Sequence, residues 1–555
     1  MDCRVNVFRQ GNGSTRSESA FRPLNGLWAA ASFAAMLAWS PMVWSQTEAP
    51  TAPGQAPKSD AAQIMQSLRF TIAEIRVSGN TLVADAPLQA VLKPFLGSGK
   101  TLDDLNRARQ AIVDRYRAQG YELFSVDYNP QRSREGIHGY VVREVKVGTV
   151  SVSGNSAISS DNLRRQLPSL EEGKTPRLEP LARELFLLND NAARSVVLSY
   201  APSAPGVTDV EVKVTEKPQL HADLALNNTG SSATGASRLG ITLHHDNLFD
   251  RSHQLTLGAV TSPEQPGRVR QFSIGYQMPL AALGDRLVFS ASDSSTDSGL
   301  VANLFNVSGQ GSTVALHYVH NLARDALSRH TLELGYDERR FRDVVDFFGV
   351  NLGTSVTTRP LSLAYRYGRT AQGDNLSLGV GLQHNLPGGD LNDDVAYGAA
   401  RVGALAQWHT WQIDASWQRE LASGWMPSVR MNVQFTQTPL ISAEQFGVGG
   451  VSAVRGFDER EGAADRGWQA RMELFGPRLA ENHRVLGFVD LGASTRLNPQ
   501  PGELASQELG SYGLGWRAQF TNGLGISADA AVVFRGTALH PAGSTRLHFA
   551  AVWSF

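Results

Sequence analysis

Arg546-Leu547-His548-Phe549-Ala550-Ala551-Val552-Trp553-Ser554-Phe555 closes the chain, and its alternation decides the fold. Successive side chains of a strand point to opposite faces. Leu547, Phe549, Ala551, Trp553 and Phe555 therefore share one face, and Arg546, His548, Ala550, Val552 and Ser554 share the other. An apolar face that ends on aromatic residues, Trp553 and Phe555, suits a strand whose outer side meets lipid.

The same texture extends back to Gln219. Leu220, Ala222, Leu224 and Leu226 alternate with His221, Asp223, Ala225 and Asn227, and Leu239, Ile241 and Leu243 continue the pattern. So do Phe272, Ile274, Tyr276 and Met278; Leu361, Leu363, Tyr365 and Tyr367; and Leu376, Leu378, Val380 and Leu382. Strands of about ten residues with one apolar face are what a transmembrane barrel requires, because lipid leaves no backbone polar group a partner outside a closed sheet. A soluble all-β sandwich competes with this reading. An uninterrupted run of strands without helix, from Gln219 to Phe555, favours the barrel.

About seventeen strands can be marked, and a bacterial single-chain barrel takes an even number. In Tyr397–Glu420 the rows Val402/Ala404/Ala406/Trp408 and Trp411/Ile413/Ala415/Trp417 are out of phase. Merging them into one strand with a bulge near His409-Thr410 gives sixteen. Eleven precede the long loop 438–467 and five follow it, which places that loop on the outer side.

Before the barrel the sequence repeats. Ile75-Arg76-Val77-Ser78-Gly79-Asn80 returns as Val150-Ser151-Val152-Ser153-Gly154-Asn155. Each copy leads into two helical stretches, Ala86–Leu96 and Leu102–Gln119, then Ser160–Leu167 and Leu178–Leu188. Two strands follow in each: Tyr121–Tyr128 and Gly136–Glu144, then Ala193–Tyr200 and Thr208–Thr215. Leu105, Ala108, Ile112 and Tyr116 fall on one helical face, with a capping box at Thr101 and Asp104. Each unit is thus β-α-α-β-β, spanning 69–145 and 146–218.

Residues 1–45 read as a secretory leader. Arg4, Arg9, Arg16 and Arg22 precede an apolar stretch from Leu27 to Trp39, and Val43-Trp44-Ser45 offers a cleavage site. Residues 46–68 are a Pro/Ala-rich linker in which Ala61–Leu68 has room for at most two helical turns. Cys3 is the sole cysteine, and it falls in the leader, so the remainder carries no thiol, disulfide or cysteine metal site. A net charge of -1 argues against nucleic acid as partner.

The segment Glu444-Gln445-Phe446-Gly447-Val448-Gly449-Gly450-Val451-Ser452-Ala453-Val454-Arg455-Gly456-Phe457 lies in the long loop, and Arg455 is its only cation. Its glycines permit tight turns and close approach to other chain. Together with the repeats and the barrel, this segment carries a resemblance. The chain resembles the two-partner secretion outer-membrane transporters (TpsB), in the superfamily that also holds the barrel-assembly proteins. The repeats look like two POTRA domains. Val454-Arg455-Gly456-Phe457 matches the family's loop-tip motif, and Asp465-Arg466-Gly467 resembles the motif that closes the loop.

The resemblance implies that the loop folds into the lumen and that its arginine meets an acidic residue of the wall in a Phe/Gly-x-Asp motif, here Phe488-Val489-Asp490. In a partly wet lumen an Arg455–Asp490 pair would contribute about 1 kcal/mol and fix geometry more than stability. Only the stretch Gln46–Leu68 stands between leader and first repeat, short for the plug helix and linker with which many members begin.

Enzyme chemistry is not signalled. Gly97-Ser98-Gly99-Lys100-Thr101 is reminiscent of a phosphate loop, but Pro94 stands where its first glycine belongs, and a turn ahead of a helix cap explains it. His244 and His245 point to opposite faces. There is no Gly-x-Ser-x-Gly elbow, no HExxH and no paired-carboxylate site, so neither cofactor nor metal is expected.

The expected function is transport of a secreted exoprotein through the outer membrane, with the POTRA-like units in the periplasm. Outer-membrane lipid and lipopolysaccharide would surround the barrel, and the barrel-assembly machinery would insert it. An outer-membrane assembly factor is the alternative. A passive porin is a weaker one, since a porin needs no tandem periplasmic units.

Overall fold

A computed structural model describes residues 68–555 apart from 135, 232–233, 296–298, 302–304, 308–309, 323–326, 343–345, 348–349, 352–353 and 481. The leader 1–45 and nearly all of the linker 46–68 lie outside the described residues.

The first N-terminal unit places Glu74–Ser78 parallel to Ile137–Glu144, which pairs antiparallel with Phe124–Arg134. Helices Asp85–Leu92 and Leu102–Ala118 cover one face and bury Leu88, Leu92, Leu105, Ala108, Ile112 and Tyr116 against it. In the second unit Lys146–Ser153 runs parallel to Val207–Glu216, which pairs with Arg194–Ala204. Helices Ser160–Arg165 and Leu178–Asn189 cover it. Asp104 accepts the Thr101 N–H at 2.8 Å, which starts the second helix. Gly97–Lys100 is not a turn: it pairs as an edge strand with Phe70–Ile72, which satisfies backbone groups that a free turn would leave to water.

The repeated Gly-Asn turn has one physical cause in both units. Gly79 and Gly154 sit at φ +80° and +79°, and a Cβ on either would lie 2.2 Å from the carbonyl oxygen of Val142 or Val214. Only glycine fits there. A glutamate from the last strand then closes each turn. Glu144 accepts from the N–H groups of Thr81 (2.7 Å) and Leu82 (2.8 Å) and from the Tyr116 hydroxyl (2.7 Å). Glu216 accepts from the Ser156 hydroxyl (2.7 Å) and the N–H groups of Ala157 (2.8 Å) and Ile158 (2.9 Å).

Burial alone would raise both carboxyls, but these hydrogen bonds outweigh it and hold each below its ordinary value. A depressed carboxyl contributes stability above the unfolded value of about 4.3 and loses it as pH falls through the folded one. Both units should therefore lose thermal stability as pH falls below about 4.3. A Glu144→Gln, Glu216→Gln variant should show a flatter profile in scanning calorimetry of the full chain. An unchanged profile in that variant contradicts the assignment.

From Leu220 onward, sixteen strands close into an antiparallel barrel. The eighth is broken at Arg359 into Ser355–Thr358 and Pro360–Ala371, both paired with the seventh, Ser328–Arg342. Leu239, Ile241, Leu243, Phe272, Leu316, Leu363 and Leu547 are exposed on the outer face, as lipid contact demands. Short turns lie on the side of the N-terminal units and longer loops on the far rim.

The first strand (Leu220–Asn227) meets the sixteenth (Thr545–Ser554) over Asp223–Asn227, and Ala222 and Phe555 exchange backbone bonds of 2.8 and 2.9 Å beyond it. Asn228 extends that seam with its side chain, donating to the Leu547 carbonyl at 2.7 Å and accepting the Phe549 N–H at 2.8 Å. The second unit is docked on the nearest turn: Asn162 donates to Asn247 at 3.0 Å and to Ser252 at 3.2 Å, all three buried.

The stretch 397–420 is not one bulged strand. Asp394–Ala400 is a helix capped by Asp393, which accepts the Ala396 N–H at 2.8 Å. A loop follows, and the tenth strand begins at His409. The Ala404/Ala406/Trp408 alternation arises because these residues pack with Val356, Tyr397, Leu440 and Ile441 into an apolar cluster of the far-rim loops. The helix also interrupts the run of strands read as helix-free. The strand number survives because the two out-of-phase rows were already merged into one element. Eleven strands precede the long loop and five follow.

Candidate functional site

The eleventh strand ends at Phe435 and the twelfth begins at Arg466, so the loop is 436–465, and Arg466 and Gly467 belong to the wall. Its limbs pair with each other. Phe446 and Ala464 exchange backbone bonds of 2.7 and 3.0 Å, and the Gly462 N–H donates to the Val448 carbonyl at 2.8 Å. Gly449, Gly450 and Gly456 have φ of +104°, +109° and +96°, values that let the tip reverse where L side chains are strained.

The doubled-back loop lies against the inner wall. Phe446, Val448, Val454 and Phe457 bury themselves with Leu509 of the fourteenth strand (Ser506–Gln519) and Val533 of the fifteenth (Leu524–Arg535). The wall makes room with glycine: a Cβ on Gly492 would stand 2.5 Å from Val448, and one on Gly467 2.4 Å from the Phe446 ring.

Arg455 sits at the tip, fully buried. Its guanidinium donates to Asp490 through Nε (2.6 Å) and Nη2 (2.8 Å), while its backbone N–H reaches the same carboxylate at 3.2 Å. Nη1 lies 2.9 Å from Glu473 and 3.2 Å from Asp529. The group lies 3.5 Å over the centre of the Phe488 ring, a cation–π contact. Arg471 pairs with Glu473 at 3.1 Å and Arg517 with Asp529 at 2.9 Å. Three arginines thus face three carboxylates.

The site differs from the partly wet lumen expected of it: Arg455 and Asp490 are both 0 % exposed. The loop's own apolar residues exclude water there. In that setting a paired charge gives little net stability, but an unpaired one is very costly.

Asp465 closes the loop at its base. Its buried carboxylate accepts from the N–H groups of Leu440 (2.7 Å) and Leu497 (2.6 Å) and from Arg401 (2.9 Å). Arg401 follows the helix in the stretch read as a strand, so its role was hidden. Arg466 covers the Phe435 ring at 4.5 Å. Glu444 is held by Arg339 at 2.8 Å and by the Thr358 hydroxyl at 2.9 Å. Trp553 and Phe555 lie apart from the site, exposed at the other rim with ring centroids 4.9 Å from each other.

Glu473, Asp529 and Arg471 were missed by sequence reading. Their signal was there: each is a charge at an inward position of a strand whose outward residues, such as Met472 and Leu474, are apolar. Ala531 and Val533 gave another, since apolar side chains facing a lumen need something to cover them. Among the described residues, Asp458, Glu461 and His540 are the set whose donor atoms converge, within 4.8 Å, as a metal site would need. Arg546 already engages Asp458, and His540 is 2.8 Å from Glu461.

A sixteen-stranded barrel with β-α-α-β-β units at one rim and an arginine-tipped loop docked inside defines an outer-membrane transporter of the POTRA-bearing kind. Residues 206–518 match the haemolysin secretion/activation protein family ShlB/FhaC/HecB, and residues 70–137 match its ShlB-type POTRA domain. The chain belongs to that family.

It is similar to outer membrane transporter CdiB of Escherichia coli O6:K15:H31 (strain 536 / UPEC), 23% identical over 428 residues, 73% of this chain and 68% of the relative. It is also similar to heme/hemopexin transporter protein HuxB of Haemophilus influenzae (strain ATCC 51907 / DSM 11121 / KW20 / Rd), 20% identical over 420 residues, 74% of this chain and 73% of that one. The fold matches solved CdiB structures. For that of Escherichia coli the TM-score is 0.70 at 18% identity, covering 91% of this chain and 93% of the other. For that of Acinetobacter baumannii it is 0.69 at 18% identity, covering 88% and 90%.

Proposed function

We propose that this chain takes an extended exoprotein at its two N-terminal units and passes it through the barrel while the loop 436–465 leaves its seat. The observation that carries the reading is the docking of the loop. Arg455 and its carboxylates hold a large insertion inside the barrel, and its bonds to this part of the wall all go to wall side chains, so the insertion can move without unpairing the wall. The second unit, like the first, acts as a POTRA domain. Both offer sheet edges to which an extended segment adds as a strand. The partner arrives unfolded, and its folding outside draws it forward. Lipid and lipopolysaccharide surround the exposed apolar band, and the barrel-assembly machinery inserts the chain.

The test is secretion of the partner protein by cells expressing either the full chain or a chain lacking residues 70–144. The deletion should abolish the partner in the medium and leave the barrel in the outer membrane. Undiminished secretion by an inserted, truncated chain refutes capture by the first unit.

A further inference from the structure

The tip of the loop is gripped a second time, by a residue that neither the motifs nor the ion cluster includes. His548 lies on the sixteenth strand, faces inward and is 3 % exposed. Its Nε2 stands 2.9 Å from the backbone nitrogen of Gly456, directly after Arg455. A backbone N–H can only donate, so Nε2 must accept and the ring must be neutral, with its proton on Nδ1. That Nδ1 is buried and has no hydrogen-bond partner among the described residues. The left-handed backbone at Gly456 aims the N–H at the wall, and a Cβ there would lie 3.0 Å from Val533.

We infer that His548 is a positioning residue for the docked loop and that it holds the tip only as neutral imidazole, so that acid releases the loop. A proton on Nε2 would set N–H against N–H and remove the acceptor. It would also add a cation to a cluster in which Arg455, Arg471 and Arg517 already balance Asp490, Glu473 and Asp529, and Arg546 already engages Asp458. Arg455 faces the ring from the loop, Arg471 from the twelfth strand and Arg546 from its own strand, against Asp490 on the thirteenth. Asp529 stands opposite His548 on the fifteenth strand and is already engaged by Arg455 and Arg517. The docked state therefore excludes a proton that the released state can bind, and linkage makes falling pH favour release. The inference rests on the reading that the loop leaves its seat, so its test follows the loop and not secretion.

A nitroxide on Ser452→Cys, at the exposed apex beside the tip, reports loop mobility in a chain whose one native cysteine, Cys3, is replaced by serine. Electron paramagnetic resonance spectra are taken on purified, detergent-solubilised protein from about pH 7.5 to about pH 4.5, across the ordinary histidine range near 6.5. The unsubstituted ring should give an immobile spectrum at the upper end and a several-fold larger mobile fraction at the lower. His548→Gln keeps an acceptor without a titrating proton and should stay immobile throughout. His548→Phe should be mobile at both ends. A pH response in His548→Gln equal to that of the histidine protein overturns the inference. So does an immobile His548→Phe spectrum. Folding is checked independently by heat-modifiable gel mobility, and if His548→Phe fails to fold, the His548→Gln profile still decides.

Discussion

Replacing Arg455 with alanine should disfavour the docked loop by about a hundredfold or more and reduce partner secretion, while leaving the barrel folded. The substitution removes one of three arginines that balance Asp490, Glu473 and Asp529, and it leaves Asp490 with no short ion pair, since Arg471 lies 3.9 Å away. Breaking a buried pair from one side costs about 3–5 kcal/mol, and every 1.4 kcal/mol is tenfold. The loop can escape that cost by leaving, because no wall strand depends on it for backbone pairing. Arg455→Lys should rescue only part of the loss: an ammonium cannot make the two-pronged bond to Asp490 and also reach Glu473 and Asp529. Secretion assays read beside heat-modifiable gel mobility separate the two effects. Full secretion by Arg455→Ala in a folded barrel would falsify the role given to the docked tip.

Gly492→Leu should have a comparable effect without touching a charge. Gly492 lies in the thirteenth strand, where leucine is tolerated by the backbone. Its new side chain, however, would fill the space occupied by Val448 and by Val454, which a Cβ already approaches to 2.5 and 3.0 Å. Overpacking of this kind costs about 1–3 kcal/mol when neighbours yield. Here the neighbour that yields most easily is the loop. The expected result is an intact barrel whose loop becomes protease-sensitive within 446–462, where the parent chain resists. Equal protease resistance in both would show that the wall glycine does not form the seat. Reading both variants together distinguishes electrostatic holding from steric fit.

The strand number and the two repeats were legible because period-two alternation and the Gly-Asn turns are local signals with local causes. Tyr397–Trp408 misled for a related reason. A loop that packs every second residue into an apolar cluster has the same pattern as a strand, and only the Asp393 cap marks the helix before it. The pairing of Arg455 with Asp490 was reached through resemblance, since nothing local connects residues 35 positions apart. Glu473, Asp529 and His548 were hidden by the expectation of a partly wet lumen, in which an inward polar residue needs no partner in the protein. That expectation fails where the barrel is filled by its own loop. Charge at an inward position then means a specific partner, and neighbouring Leu509 and Val533 give the clue. Arg401 was invisible for another reason: its contact with Asp465 spans 64 positions and depends on a loop path that no periodicity encodes.

The wall and the loop divide the work of setting the aperture. Strand number fixes the perimeter of the hoop, and every ladder bond that maintains it lies between neighbouring strands. The free cross-section belongs to the loop, which is attached to the wall through side chains and a few backbone-to-side-chain bonds. A wide and a narrow aperture can therefore share one hoop. The difference between them is the cost of one buried guanidinium, one imidazole and four apolar side chains changing surroundings, while the membrane sees the same outer surface throughout.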